Sequence, residues 1–117
     1  MGLSTHVLDT MHGTPAAGMA VALWATGPGE PQLIKALVLN DDGRNPDGLL
    51  LSHAELQRGT YRLIFEVAAY FKARGVPLPE PNFLNQVSLD FGVASPESHY
   101  HVPLLVSPWS YSTYRGS

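Results

Sequence analysis

The chain has 117 residues, 44% of them hydrophobic and 15% charged, which is the composition of one globular domain spanning residues 1–117. Its net charge is −3 with only 7 Lys and Arg residues, so it lacks the basic surface that nucleic-acid binding requires. The absence of cysteine excludes disulfides, thiolate catalysis and cysteine-ligated zinc. No apolar run approaches the ~20 residues of a membrane helix, and the first residues, MGLSTHVLD, lack the features of a secretory signal. We therefore expect a cytoplasmic protein with no membrane partner.

Ten prolines and eleven glycines divide the chain into short segments, a pattern typical of an all-β sandwich. In the first half, alternating apolar residues predict strands at 3–9, 19–25 and 32–39. The turn-rich NDDGRNPDG follows at 40–48, and the segment 49–59 is compatible with either a short strand or a turn. In the second half we predict a strand at 60–67, a short helix at 68–75 that ends at a glycine, and further strands at 83–91, 99–106 and 110–116.

Two histidines stand close together near the end of the chain. His99 and His101 are two residues apart in a predicted strand, so they share one face with Pro103 and Leu105. Three interpretations of the pair remain open at this point. The imidazoles could be surface groups, they could perform acid–base chemistry, or they could ligate zinc with His6 as a third ligand.

His6 and Arg44 extend the set of residues with possible chemistry. Two imidazoles close in space can hold one protonated and one neutral form near pH 7, which suits the activation of water for hydrolysis. Arg44 directly follows the NDDG turn, where a guanidinium is either a solvated cation or a clamp for an anionic or carbonyl-rich substrate. For His12 and His53 the sequence indicates no partner.

Three segments of the sequence resemble the transthyretin-related family, specifically its 5-hydroxyisourate hydrolases. They are LSTHVLDTMHGTPAAGMAV at the start, NDDGR in the middle and HYHVPLLVSPWSYSTYRGS at the end. The resemblance covers essentially the whole chain, and its most specific part is the terminal YRGS. It implies an all-β, transthyretin-like β-sandwich of two four-stranded antiparallel sheets with one short α-helix. It also implies a homotetramer, built as a dimer of dimers, with active sites in a cleft where dimers meet.

The resemblance also implies which residues form the active site. His6, Arg44 and His101 match the family's catalytic residues, and His99 belongs to the same motif as a neighbour. The terminal tetrapeptide supplies the substrate-binding residues Tyr114, Arg115, Gly116 and Ser117, and strand geometry adds Pro103 and Leu105 to the cleft.

The activity implied is hydrolysis of 5-hydroxyisourate to 2-oxo-4-hydroxy-4-carboxy-5-ureidoimidazoline in uric acid degradation. In this reading a histidine activates water, Arg44 stabilises the developing oxyanion, and neither a metal nor an organic cofactor is needed. Which of His6 and His101 is the base stays open. The alternative is a transthyretin-type carrier that holds a small aromatic ligand in the tetramer channel. For the compartment, the peroxisome is the alternative to the cytoplasm, although the chain does not end in the peroxisomal address SKL.

Overall fold

Two β-sheets packed face to face, with one short helix, form the fold in a computed structural model that describes residues 1–116. The elements, in chain order, are β1 (Gly2–Asp9), β2 (Thr14–Pro15), β3 (Ala20–Ala25), β4 (Gln32–Val38), β5 (Leu51–Ser52), β6 (Gly59–Phe65), α1 (Val67–Ala73), β7 (Val87–Val93), β8 (Tyr100–Val106) and β9 (Tyr111–Thr113).

The first sheet carries both ends of the described chain. Its strand order is β2-β1-β8-β9, with β5 paired to β1, and the second sheet has the order β4-β3-β6-β7. All pairs are antiparallel except β1 and β8, which run parallel over seven residue pairs from Leu3–Tyr100 to Asp9–Val106. The two ends of the sequence therefore meet as adjacent central strands.

Alternation of buried and partly exposed residues explains why these segments form strands of a sandwich. Along β1, the odd-numbered side chains are buried, while the even-numbered ones from Ser4 to Leu8 are partly exposed. The same two-residue period runs through β6 and β8, as expected when one face of a sheet meets the core and the other faces outward. The core between the sheets is aliphatic and aromatic, and its largest fully buried side chains are Phe65 and Phe71.

A buried carboxylate fastens the helix to the first sheet. The side chain of Asp9 is fully buried and accepts hydrogen bonds at Oδ2 from the Tyr70 hydroxyl (2.8 Å) and at Oδ1 from the His12 backbone N–H (2.9 Å). Nδ1 of His12 lies 2.6 Å from Asp9 Oδ2, and the Arg74 guanidinium lies 3.7 Å away. Burial raises the pKa of Asp9, but the hydrogen bonds from His12 and Tyr70 outweigh it, so the pKa is lowered overall. His12, for which the sequence indicated no partner, is thus part of this cluster.

The structure confirms the predicted all-β sandwich with one short helix. It differs from the prediction in the make-up of the first sheet and in the bounds of some elements. The first sheet has five strands because the two-residue strands β2 and β5 join it, and it is mixed because β1 and β8 are parallel. The strand predicted at 60–67 ends at Phe65, and the helix begins at Val67. The last strand is shorter than predicted, spanning Tyr111–Thr113.

Candidate active site

A tight turn carries Arg44 to the first strand. Asn40 accepts hydrogen bonds from the backbone N–H of Arg44 at its side-chain Oδ1 (3.1 Å) and from that of Gly43 at its carbonyl (2.9 Å). Gly43 has φ +72°, and a Cβ at this position would lie 2.5 Å from the carbonyl oxygen of Val7, so only glycine fits. The turn docks on β1 through a hydrogen bond from Val7 N–H to the Gly43 carbonyl (3.0 Å). Arg44 then forms an antiparallel bridge with His6.

The parallel pairing of β1 with β8 brings two histidine-bearing strands together. Its register sets Ser4 beside His101 and His6 beside Pro103. Because alternate residues of a strand share a face, His6 and His101 both lie on the outer face of the first sheet, and Leu105 continues that face along β8. The shared face predicted for Pro103 and Leu105 therefore agrees with the strand geometry, although Pro103 is itself buried.

A hydroxyl joins the two C-terminal histidines. Ser4 Oγ lies 2.7 Å from Nδ1 of His101 and 3.3 Å from Nε2 of His99, and the backbone N–H of Gly2 donates to Nδ1 of His99 (3.2 Å). His101 also lies in a positive electrostatic environment. Burial lowers its pKa, and the charges of Arg44, His6 and His99 lower it further, so neutral His101 persists to more acidic pH than a free imidazole.

The C-terminal tail meets His101 through its backbone. The N–H of Gly116 donates to the carbonyl of His101 (2.7 Å), and the N–H of His101 donates to the carbonyl of Gly116 (3.3 Å). The side chain of Arg115 points toward Tyr100, and its guanidinium carbon lies 4.2 Å from the centre of that ring. Its Nη2 donates a hydrogen bond to the carbonyl of His99 (3.2 Å). Ser117, also predicted to bind substrate, lies outside the described residues.

Arg115 and Tyr114 border a groove that is separate from the histidine pair. This groove, of about 480 Å³, lies between β7 and the strands β8 and β9, and its lining includes Tyr100, Val102, Tyr111 and Asp90. Within one chain, the structure therefore brings together His6, Arg44, His99, His101 and Gly116. It places the side chains of Tyr114 and Arg115 along the groove at the neighbouring sheet edge instead.

Three residues that support the site were not predicted from the sequence: Ser4, Asn40 and Gly43. For Ser4 a signal exists, because the alternation of β1 puts it on the same face as His6. The Asx and Gly residues of NDDGR indicate a turn, but not that it docks on β1. Their role in the site is visible only from contacts between distant segments, namely Ser4 with His101 and Gly43 with Val7.

Within residues 1–116, no group of three or more His, Asp or Glu side chains is arranged to hold a metal ion. In the same part of the chain, the helix is too short to cross a membrane.

The architecture and the site define a class of protein. The chain belongs to the HIUase/Transthyretin family, whose sequence model matches residues 3–116. It is 55% identical over 115 residues to a protein of Ralstonia nicotianae named 5-hydroxyisourate hydrolase, an alignment that covers 98% of this chain and 97% of that one. A second protein of that name, from Pseudomonas aeruginosa, is 50% identical over 98% of this chain and 90% of its own length.

Solved structures agree with this assignment. The structure of Klebsiella pneumoniae 5-hydroxyisourate hydrolase superposes with a TM-score of 0.79 at 36% identity over the full length of both chains. A crystal structure of (S)-allantoin synthase gives a TM-score of 0.94 at 44% identity, and this chain spans only 43% of that longer protein. Sea bream transthyretin in complex with thyroxine gives a TM-score of 0.85 at 28% identity, covering 99% of this chain and 95% of that one. The predicted membership of the transthyretin-related family is thus confirmed.

Proposed function

We propose that this chain hydrolyses 5-hydroxyisourate to 2-oxo-4-hydroxy-4-carboxy-5-ureidoimidazoline, a step of uric acid degradation. The observation that carries the proposal is the convergence of His6, Arg44 and His101, which the parallel pairing of β1 with β8 and the bridge between His6 and Arg44 bring together. Two imidazoles can supply the base and the acid for hydrolysis of a cyclic amide, and a guanidinium can stabilise its oxyanion. The names of full-length relatives at about 50% identity support the same activity.

The chemistry is that of amide hydrolysis by one water molecule. A histidine takes a proton from the water as its oxygen bonds to the ring carbonyl carbon, and Arg44 stabilises the negative charge that develops on the carbonyl oxygen. The carbon–nitrogen bond then breaks, and the leaving nitrogen receives a proton from a histidine. Water supplies all the atoms that are added, so this mechanism needs neither a metal nor an organic cofactor.

The substrate is a small purine-derived molecule that is rich in carbonyl groups. Leu105, which is partly exposed, offers an apolar surface on the same face of β8 as His101, while Pro103 is buried beneath that face. Gly116 closes the same end of the face, since it is bridged to His101. Arg115 contributes to the substrate site by holding this tail through the Tyr100 ring and the His99 carbonyl.

We further propose that the active assembly is a homotetramer, a dimer of dimers. Unpaired edge strands and exposed aromatic residues support it, because both invite pairing with another copy. β9 is the edge of the first sheet and β7 an edge of the second. Near β9, the exposed fractions of Trp109, Tyr111 and Tyr114 are 56%, 45% and 61%. Sedimentation at micromolar concentration should give about four times the 12.7 kDa chain mass, and a fully active monomer would contradict the proposal.

A direct assay tests the activity. Urate oxidase generates 5-hydroxyisourate in the cuvette, and its ultraviolet decay is followed with and without this protein. We expect a faster decay in proportion to protein concentration. An unchanged decay, together with tight binding of a small aromatic ligand, would favour a transthyretin-type carrier instead. Loss of activity on prolonged chelation, restored by zinc alone, would overturn the metal-free mechanism.

A further inference from the structure

Three hydrogen bonds link the N-terminus of β1 to His101. They run from the Gly2 backbone N–H to Nδ1 of His99 (3.2 Å), between Nε2 of His99 and Ser4 Oγ (3.3 Å), and between Ser4 Oγ and Nδ1 of His101 (2.7 Å). Gly2 is held close to β5, since a Cβ there would lie 2.2 Å from the carbonyl oxygen of Leu51. The fold therefore fixes the position of the Gly2 backbone N–H, which is the first donor in this series of hydrogen bonds.

The donor at Gly2 sets the direction of every bond that follows. A backbone amide can only donate, so Nδ1 of His99 is an acceptor without a proton, and the proton of that neutral ring is on Nε2. Nε2–H of His99 then donates to Ser4 Oγ. Among the described residues, Nδ1 of His101 is the remaining hydrogen-bond partner of Ser4 Oγ, so the single hydroxyl proton is donated to it. Nδ1 of His101 is thus an acceptor, and the proton of neutral His101 is on Nε2.

We propose that Ser4 and His99 are positioning residues that hold His101 as the neutral Nε2–H tautomer, so that His101 acts as the proton donor of the reaction and His6 as the base that activates water. The proposal rests on the hydrolase activity proposed above and assigns the two roles that the sequence left open. In the balanced reaction, His6 accepts the proton of the attacking water as the carbon–oxygen bond forms. Nε2–H of His101 donates to the departing ring nitrogen as the carbon–nitrogen bond breaks, which leaves His101 as an imidazolate stabilised by the positive charges of Arg44 and protonated His6. The proton on His6 returns to His101 through water before the next turnover, so both rings are neutral again.

The same series of hydrogen bonds opposes protonation of His101 at Nδ1. A proton there would make Nδ1 a donor to Ser4 Oγ, and the Ser4 hydroxyl proton would then lose its acceptor. The charged and titratable groups around His101, namely Arg44, His6 and His99, disfavour a further positive charge as well. Hydrogen-bond direction and electrostatics therefore favour the same neutral form.

Nitrogen-15 NMR of histidine-labelled protein tests the tautomer without reference to activity. For wild type at neutral pH we expect His101 to show an unprotonated, pyridine-type Nδ1 and a protonated, pyrrole-type Nε2. Ser4→Ala and His99→Phe should each give a mixture of tautomers. Ser4→Thr keeps the hydroxyl and should therefore keep the Nε2–H form of His101. Ser98→Ala is the matched control, because it removes a serine hydroxyl next to His99 that makes none of the three hydrogen bonds.

Kinetics give the second readout. Because Ser4 acts through His101, Ser4→Ala should lower kcat by about 10-fold with KM nearly unchanged, in the range seen when a supporting partner of a functional histidine is lost. It should also move the acid limb of the kcat/KM profile to higher pH, because the donor that stabilises neutral His101 is gone. Ser4→Thr should recover both properties, and Ser98→Ala should resemble wild type. Circular dichroism and thermal melting show whether each variant is folded.

The outcomes separate this proposal from the proposed activity. A pyrrole-type Nδ1 on wild-type His101, or an unchanged tautomer and pH profile in Ser4→Ala, would overturn the assignment while leaving the hydrolase intact. If wild type fails to accelerate 5-hydroxyisourate decay, the activity is wrong whatever the NMR shows. Rescue by Ser4→Thr of both tautomer and acid limb supports the positioning role and excludes a purely structural one.

Discussion

Gly116 lies directly against the imidazole of His101. A Cβ at position 116 would be 3.1 Å from Cδ2 of the ring and 3.4 Å from Cγ, and the two residues exchange backbone hydrogen bonds. Gly116 therefore limits the position that the His101 ring can take. This contact ties Gly116 to the histidine that we propose as a catalytic group.

Gly116→Ala should displace the His101 ring by a few tenths of an ångström and lower kcat. We expect a loss of about 10-fold, because small misplacements of catalytic groups are costly. Gly92→Ala is the matched control, since a Cβ there meets no atom within 4 Å. Steady-state kinetics on both variants provide the measurement, and equal activity of the two would show that the contact does not position His101.

Deleting residues 114–117, or fusing a tag after Ser117, should abolish most activity while the sandwich stays folded. The deletion removes the Gly116 bridge and the Arg115 contacts with Tyr100 and His99, but leaves β9 in place. A tag ahead of Met1 serves as the control and should have a much smaller effect. Activity and circular dichroism of the three proteins decide the matter, and a harmless C-terminal tag would argue against a role for the tail.

His101→Asn should lower turnover by at least ~100-fold, the lower range for loss of a general acid–base group. The fold should be unaffected, because His101 is on the outer face of its sheet. His53→Asn changes an exposed histidine and should keep wild-type turnover. Decay of freshly generated 5-hydroxyisourate measures both, and near wild-type turnover by His101→Asn would remove His101 from the mechanism.

Asp9→Asn should destabilise the protein by about 2 kcal/mol, as expected when hydrogen bonds to a buried charged acceptor are lost. The substitution leaves the donors of Tyr70 and His12 without their carboxylate. Because the pKa of Asp9 is lowered in the folded state, its contribution is fully present above the unfolded value of about 3.9 and is lost as pH falls through the folded pKa. Urea denaturation at pH 7 measures the change. As the control, Asp90→Asn, in an exposed pair with Arg62, should cost much less.

The lowered pKa of His101 predicts an acid-dependent loss of stability. Below the unfolded pKa of about 6.5, the unfolded chain takes up a proton that folded His101 resists, so the free energy of unfolding decreases as pH falls. Wild type should therefore lose more stability between pH 7.5 and pH 5.5 than His101→Asn does. Urea titrations at the two pH values test this, with His53→Asn expected to behave like wild type. A smaller loss for wild type than for His101→Asn would reverse the sign and contradict the pKa direction.

The sequence by itself determined the local structure and much of the chemistry. Alternation with a period of two residues marks β1, β6 and β8, and the short helix ends next to its predicted glycine. The motif resemblance named His6, Arg44 and His101, which the fold brings onto one sheet. The strands and the end of the helix are readable because side-chain periodicity and turn chemistry depend on neighbouring residues only.

Only the tertiary structure decided which segments meet and in what register. The parallel pairing of β1 with β8 places Ser4 beside His101, 97 positions along the chain, and the docking of the turn at Gly43 places Arg44 beside His6. The direction of Arg115, toward Tyr100 and away from His101, likewise follows from the fold. Strand partners and register are selected by burying both sheets in a common core, an interaction between distant segments that no local pattern encodes.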